Sequence, residues 1–237
     1  MPSVGIIDMG GGSVQIAFEV QSQGQIGSED FSQFNLGAKL SSHLEYKLFV
    51  TTHLGFGANV AMDSYREMMV LKYQDQAISG EILQYTYPNI LGLYSDPCLP
   101  YGATYSHAGV DFIGSGNYSS CFSSLEPLLH KDTCQADDRT CSLSGKYQPS
   151  LDGVDDFFGF SEFYYTSEDC LKMAGKWNLE KFETAAAEYC STNWSVLEEN
   201  WNNHLYNADY NRLKHQCFKS AWVPVSMARL IVVANYI

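Results

Sequence analysis

Three consecutive glycines between two short apolar segments constrain the fold of this chain more than any other feature. Residues 4–7 have the apolar character of a buried strand and end at Asp8. Residues 14–20 alternate apolar and polar side chains, as a second strand does. Two strands separated by a short glycine-rich segment predict an antiparallel β-hairpin with a glycine tip.

The hairpin also places an acidic side chain beside exposed backbone donors. Because glycine lacks a Cβ, a phosphate can approach the N–H groups of such a tip closely. Asp8 could hold a hydrated divalent cation that shields phosphate charge. Ser13 and Gln15 are two residues apart and therefore share one face of the second strand, from which both could orient a water molecule. The alternative is a structural hairpin whose glycines only supply positive φ.

The remaining pattern predicts a mixed α/β chain, because strand signals come first and helical spacing dominates the last third. We expect strands at 46–52 and 110–113, helices at 59–73, 120–130, 161–174, 179–190, 194–204 and 209–221, and an exposed loop at 131–156. No apolar run in the sequence approaches the length of about 20 residues that a membrane-spanning helix needs.

The charge balance limits the partners. With 14 Lys+Arg against 27 Asp+Glu, the formal net charge of this 237-residue chain is −13. Such a surface repels nucleic acid and anionic membranes. A small phosphorylated ligand remains possible, since backbone N–H groups and a divalent metal bind phosphate without net positive charge.

Cysteines and glycosylation sequons favour an oxidising compartment. The chain has 7 cysteines, and none forms a C-x-x-C pair that would suggest zinc. Asn117 and Asn193 each begin an N-x-S acceptor sequon. Together these features predict a lumenal or extracellular glycoprotein.

Several ordered motifs resemble the apyrase or nucleoside triphosphate diphosphohydrolase (NTPDase) family. The segment from Asp8 to Gln15 resembles its fourth conserved region, which is the second phosphate-binding hairpin of the actin/hexokinase/Hsp70-like superfamily. Gly12 and Val14 differ from the residues that are commonest in the family at these two positions. Other matching stretches are 34–37, 49–59, 96–100, 159–165 and 215–222, and the set is closest to the Golgi and lysosomal UDPase subgroup. The resemblance implies a C-terminal apyrase lobe over residues 1–222, with mixed sheet and helices, followed by a divergent tail at 223–237.

The resemblance also implies roles for individual residues. Asp8 would hold Ca²⁺ or Mg²⁺ through water, and Ser13 and Gln15 would position the nucleophilic water. Tyr165 would stack on the nucleobase, with Arg212 covering the other face of the base. Without the resemblance, Arg212 is a solvated helix residue, and one of the rings at 164 and 165 packs in the core. The phosphate-binding residues would be Gly10, Gly11, Gly12 and Ser13.

Two disulfides follow from the family pattern, Cys98–Cys121 and Cys190–Cys217. Cys134–Cys141 is a plausible local pair, which leaves Cys170 without a partner.

The function implied is metal-dependent hydrolysis of the terminal phosphate of nucleoside di- or triphosphates, with UDP or GDP the favoured substrates. Complete family members carry a first phosphate-binding hairpin and a catalytic glutamate upstream of this hairpin. We therefore expect this chain to lack the catalytic base. The resemblance also implies that the parent is a membrane protein of the Golgi, or of lysosomes or other endomembranes, anchored outside this segment. The alternatives are a non-catalytic fragment that binds nucleotide weakly and an exopolyphosphatase-like hydrolase, against which Gln15 argues because that family has glutamate there.

Overall fold

The computed structural model describes residues 3–20, 31–37, 45–79, 92–130 and 140–231, with the side chains of 75–79 left out. The fold is mixed α/β, as predicted. Its strands are β1 (Gly5–Met9), β2 (Ser13–Glu19), β3 (Phe31–Asn35), β4 (Glu45–Leu54), β5 (Leu93–Asp96), β6 (Thr104–His107), β7 (Val110–Gly114) and β8 (Phe157–Ser161). Its helices are α1 (Ala58–Ser79), α2 (Tyr118–Leu125), α3 (Glu162–Glu168), α4 (Leu179–Ser191), α5 (Trp194–Asn202) and α6 (Tyr210–Leu230).

The predicted glycine hairpin is confirmed and lies inside a five-stranded sheet of order β3-β4-β2-β1-β8. Strands β1 and β2 pair antiparallel, with Asp8 opposite Gln15, and β1 pairs with β8 in parallel. The parallel pairing brings Ser161, the last residue of β8, beside Met9 at the end of β1. Helix α3 therefore begins next to the hairpin tip.

The two faces of this sheet differ in burial. One face packs against α1 and α6, and its side chains are buried from Ile7 in β1 to Phe49 in β4. On the other face Ile6 and Val50 are exposed, and Phe158 in β8 keeps 60% of its surface accessible. Cross-strand register then places Asp8, Gln15 and Thr52 in one row on that open face.

The second sheet, of order β5-β7-β6, is tied to the core through a buried carboxylate. Asp96 accepts hydrogen bonds from the hydroxyls of Tyr65 at 2.7 Å and Tyr105 at 2.9 Å and from the backbone N–H of Cys98 at 2.8 Å. Burial raises the pKa of Asp96, and these hydrogen bonds oppose that rise. The Cys98–Cys121 disulfide links the end of this sheet to α2, which confirms the predicted pair.

Helix α6 is longer than the sequence predicts, because it continues through Pro224 to Leu230. Proline has no N–H and leaves the carbonyl four residues earlier without its helical partner. The Tyr118 hydroxyl donates to that carbonyl, on Ser220, at 3.3 Å. The buried side chains of Val223 and Val225 then hold the extension against the core, so part of the 223–237 segment is structured. Residues 232–237 lie outside the described part.

Three other boundaries differ from the expectation. Helix α2 starts at an Asn117 cap and ends before Pro127, where a 3-10 turn takes over. Helix α3 ends at Glu168 rather than 174, and the positive φ of Lys172 prevents a helix from continuing to 174. The predicted exposed loop at 131–156 is wrong at Gln148, which is buried and donates to the Leu230 carbonyl at 2.7 Å.

The second predicted disulfide, Cys190–Cys217, is confirmed and joins α4 to α6. Cys141 is disulfide-bonded, whereas the predicted partner Cys134 falls outside the described residues. Cys170 is the free cysteine among the described residues, and burial raises the pKa of its thiol to about 12. A thiol that stays protonated is a poor nucleophile or metal ligand, so we interpret Cys170 as a residue that contributes to packing.

Candidate functional site

The hairpin tip is held by the first turn of α1. The N–H of Ala58 donates to the Gly10 carbonyl, and the N–H groups of Asn59 and Val60 donate to the Gly11 carbonyl, all at 3.0 Å. These bonds use the N-terminal donors that a helix otherwise leaves unpaired. The tip is thus an ordered part of the structure.

The same hydrogen bonds also fix the direction of the N–H group in each of these two peptide units. In a trans peptide the N–H points away from the C=O. Because the carbonyls of Gly10 and Gly11 point toward α1, the N–H groups of Gly11 and Gly12 point away from it. Neither N–H has a backbone acceptor in the described part of the chain. The tip therefore presents two adjacent free donors beside the positive end of a helix, an arrangement suited to an anion.

The three glycines at the tip are not there to supply positive φ, which is their usual role in a purely structural hairpin. Gly10, Gly11 and Gly12 are absent from the positive-φ residues, so the alternative that they only supply positive φ is wrong. A Cβ on Gly11 would lie 2.7 Å from the Asn59 amide nitrogen. Glycine at this position leaves room for the Asn59 side chain of α1.

The predicted catalytic side chains come together on the open face of the sheet. The Gln15 amide Nε2 donates to the Ser13 hydroxyl at 2.7 Å. Asp8 lies opposite Gln15 in the β1–β2 pair. Its Oδ1 is buried and has no hydrogen-bond partner among the described residues.

That unpartnered oxygen bears on the implied metal. No group of three or more His, Cys, Asp or Glu side chains capable of holding a metal occurs in the described part of the chain. A buried carboxylate oxygen without a donor is unfavourable unless a cation or water satisfies it. Asp8 therefore fits a hydrated divalent cation held by one carboxylate and by ligand oxygens, as Mg²⁺ is commonly bound.

The two predicted base-binding residues contact each other directly. The Arg212 guanidinium lies over the Tyr165 ring, 4.1 Å from its centroid, and donates to Asp169 at 2.8 Å. A base cannot enter between them in this arrangement, which differs from the expected sandwich. The expectation that one of the two tyrosines packs in the core is wrong, because Tyr164 and Tyr165 are both exposed while Phe163 is buried.

A buried ion pair missed by the sequence analysis fixes α3 against α6. Lys219 lies 3.0 Å from both carboxylate oxygens of Glu162, and the two residues keep only 5% and 9% of their surfaces exposed. Gln216 adds a bond from its amide to the Thr166 carbonyl at 2.7 Å. A helical spacing of 216 and 219 places both on one face of α6, which is the signal that could have revealed the contact.

His215, on the same helix, makes stability depend on pH. Its Nε2 accepts from Arg66 at 2.7 Å, and burial, followed by the charges of Arg66, Lys214 and Lys219, lowers its pKa to about 3. An unfolded histidine has a pKa of about 6.5, so the stability contributed by neutral His215 is complete above that pH and is lost as pH falls toward 3. We expect a loss of about 2 kcal/mol from pH 7 to pH 5 that is absent in His215→Gln.

Urea unfolding of both proteins at pH 7 and pH 5 measures this difference. Equal losses in the two proteins would show that His215 takes up its proton without penalty in the folded state.

Both sequon asparagines cap helices and are exposed. The Asn117 side-chain oxygen accepts from the Ser120 N–H at 2.9 Å, and the Asn193 oxygen accepts from the Ser195 N–H at 3.0 Å. Each cap uses the oxygen of the amide and leaves the nitrogen that would carry a glycan out of the cap. No helix in the described residues combines the length and apolar character that crossing a membrane requires.

Comparison with known proteins matches the chain to one family. The model of the GDA1/CD39 (nucleoside phosphatase) family matches residues 1–228. Ectonucleoside triphosphate diphosphohydrolase 7 of Xenopus tropicalis is 42% identical over 243 residues, covering 93% of this chain and 38% of the relative. Human ectonucleoside triphosphate diphosphohydrolase 4 is 37% identical, with the same coverage.

Two further matches agree. Nucleoside-diphosphatase mig-23 of Caenorhabditis elegans is 34% identical over 233 residues, covering 93% of this chain and 40% of the relative. A crystal structure of nucleoside triphosphate hydrolases from Neospora caninum aligns with a TM-score of 0.53 at 13% identity, covering 99% of this chain and 51% of that one. At that identity it supports the fold alone, and the predicted fold class is confirmed. The chain spans about two fifths of the length of the curated relatives that it matches.

Proposed function

Since this chain belongs to the GDA1/CD39 nucleoside phosphatase family, we propose that it takes part in hydrolysing the terminal phosphate of nucleoside di- and triphosphates. The observation that carries the proposal is the hairpin tip. Its free N–H groups at Gly11 and Gly12, the Gln15–Ser13 pair and the unpartnered Asp8 oxygen lie on adjoining parts of one hairpin.

At the phosphate end, each residue has a distinct task. Gly10, Gly11 and Gly12 form the tip that receives the terminal phosphate, and the Ser13 N–H and hydroxyl extend it. Ser13 and Gln15 hold the attacking water in line with the bond to be broken. Backbone donors that are already ordered stabilise the charge that develops on the phosphoryl oxygens without reorganising.

A divalent cation completes this end. Asp8 would hold Ca²⁺ or Mg²⁺ through water, and the bound cation would neutralise phosphate charge.

At the base end, Tyr165 supplies a ring face for stacking. Arg212 already covers one face of that ring at 4.1 Å, so we propose that the base stacks on the opposite face, with the Asp169-bound guanidinium beneath the ring. Stacking of this kind discriminates poorly among bases. Nucleoside diphosphates are the proposed substrate class, since the matched relatives include a protein named nucleoside-diphosphatase, and we propose UDP and GDP within that class.

We propose the lumen of the secretory pathway, most specifically the Golgi, as the compartment, and a membrane anchor outside this segment. Two disulfides among the described residues and exposed sequons at Asn117 and Asn193 support an oxidising, glycosylating environment.

Phosphate release tests the proposal directly. The chain is incubated with UDP or GDP and Mg²⁺ or Ca²⁺, and Ser13→Ala is compared with Ser123→Ala, an exposed serine on α2 that only bonds its own helix. We expect Ser13→Ala to lower release by about 10²-fold or more, since one oriented donor is worth that much. Ser123→Ala should match the wild type.

Binding measured by calorimetry separates the alternatives. Cation-dependent UDP binding without release would assign this chain the phosphate-binding part of the site alone. Release from polyphosphate but not from UDP would favour an exopolyphosphatase-like activity. Neither binding nor release of UDP or GDP would contradict the proposal.

A further inference from the structure

Thr52 shares the open face of the sheet with the proposed water-positioning residues. It lies directly opposite Gln15 in the antiparallel β2–β4 pair. Bonds from Val20 N–H to the Lys47 carbonyl and from Gly55 N–H to the Gly12 carbonyl mark the hydrogen-bonded positions of this pair. Gln15 and Thr52 therefore form a non-hydrogen-bonded pair, in which opposing Cβ atoms are closest, about 4.5–5.5 Å apart.

Thr52 is also a polar residue between two apolar neighbours. Its neighbours on the same face of β4 are Val50 and Leu54, and both are exposed. Thr51 points to the opposite face and is buried. Thr52 is half-buried and lies opposite Gln15, and neither of its neighbours on this face, Val50 and Leu54, carries a hydroxyl.

The Gln15 amide has bonding capacity left in that direction. Its Nε2 donates to Ser13 at 2.7 Å. Its Oε1 can still accept two hydrogen bonds. A threonine hydroxyl supplies one donor, so Thr52 can hold Oε1 directly or through one water.

The backbone of Thr52 is fixed by a contact from outside the sheet. Pairing between β3 and β4 reaches Phe49 at its furthest, so the Thr52 carbonyl lies beyond that strand. The Lys146 ammonium donates to this carbonyl at 2.7 Å. The backbone that carries the Thr52 side chain is therefore held in place.

We infer that Thr52 is a positioning residue that orients the Gln15 amide, and through it the attacking water. The inference rests on the proposed function for its effect on turnover, but the proposed hydrogen bond between Thr52 and Gln15 can be tested without turnover. It predicts that removing the hydroxyl changes kcat and leaves KM unchanged, because a positioning residue acts through Gln15 and not through the nucleotide.

The experiment compares Thr52→Val, which keeps the shape and removes the hydroxyl, with Thr52→Ser, which keeps the hydroxyl. Thr51→Val is the matched control on the buried face. Hydrogen exchange of the Gln15 side-chain amide is followed by NMR, with the signals identified by their loss in Gln15→Glu. Phosphate release from UDP with Mg²⁺ is measured on the same proteins.

For Thr52→Val we expect amide exchange several-fold faster and kcat lower by about tenfold, the effect of one hydrogen bond, with KM unchanged. Thr52→Ser should restore both values, and Thr51→Val should match the wild type. Unchanged exchange in Thr52→Val, or no rescue by serine, would overturn the inference. If the wild type releases no phosphate but the exchange difference is present, the proposed hydrolysis by this chain fails and the role of Thr52 stands.

Discussion

Replacing Lys219 with methionine is expected to lower the free energy of unfolding by about 3–5 kcal/mol. The change keeps the length of the side chain but removes the ammonium that lies 3.0 Å from both oxygens of Glu162. Glu162 would then remain buried with its charge uncompensated, and desolvation of a lone carboxylate is costly. Urea unfolding with the disulfides intact measures the loss.

A double variant distinguishes the unpaired charge from lost packing. Glu162→Leu combined with Lys219→Met should recover most of the stability, because a buried ion pair can often be replaced by apolar residues without net loss. Lys181→Met, at an exposed lysine of α4, should change stability by less than about 0.5 kcal/mol. If the double variant is as unstable as Lys219→Met alone, packing rather than charge explains the effect.

Gly57→Ala is expected to displace the hairpin tip and abolish nucleotide binding. A Cβ at Gly57 would lie 2.5 Å from the carbonyl carbons of both Gly11 and Gly12, and closer still to the Ser13 backbone nitrogen. Backbone atoms of a tip bonded to α1 cannot move aside as a flexible side chain could. Overpacking of this kind costs about 1–3 kcal/mol, and here the displaced atoms are the proposed phosphate donors.

Gly12→Ala is the matched variant for stability. A Cβ there would meet nothing within 4 Å, and Gly12 does not have positive φ. Its melting temperature should therefore equal that of the wild type, while Gly57→Ala melts several degrees lower. Equal melting temperatures and UDP affinities for Gly57→Ala and wild type would show that the tip tolerates displacement.

Local features of the fold could be predicted from the sequence. The hairpin follows from an apolar strand, three glycines and an alternating strand, and it forms through contacts between neighbours in sequence. The extension of α6 through Pro224 could not be predicted, because it depends on Tyr118 supplying the bond that proline removes. Residues so distant in sequence leave no periodic signal.

In the candidate site, too, some residues could be placed from local sequence and others depend on tertiary packing. Asp8, Ser13 and Gln15 share a face because strand geometry requires it. The contact between Tyr165 and Arg212 depends on how α3 packs on α6, which the Glu162–Lys219 pair and Gln216 decide. The position of Thr52 could not be predicted, because cross-strand register, and not the local pattern, places it opposite Gln15.

Helix α6 has a consequence for the size of ligand that the proposed site could accept. Its first turn carries Arg212, and further along Trp222 donates to the Phe56 carbonyl next to the glycine that supports the hairpin. Along a continuous helix these positions are about 15 Å apart at 1.5 Å per residue. The separation between the proposed aromatic and glycine ends is thus set by one stiff element, so we expect a ligand of different length to lose contact at one end.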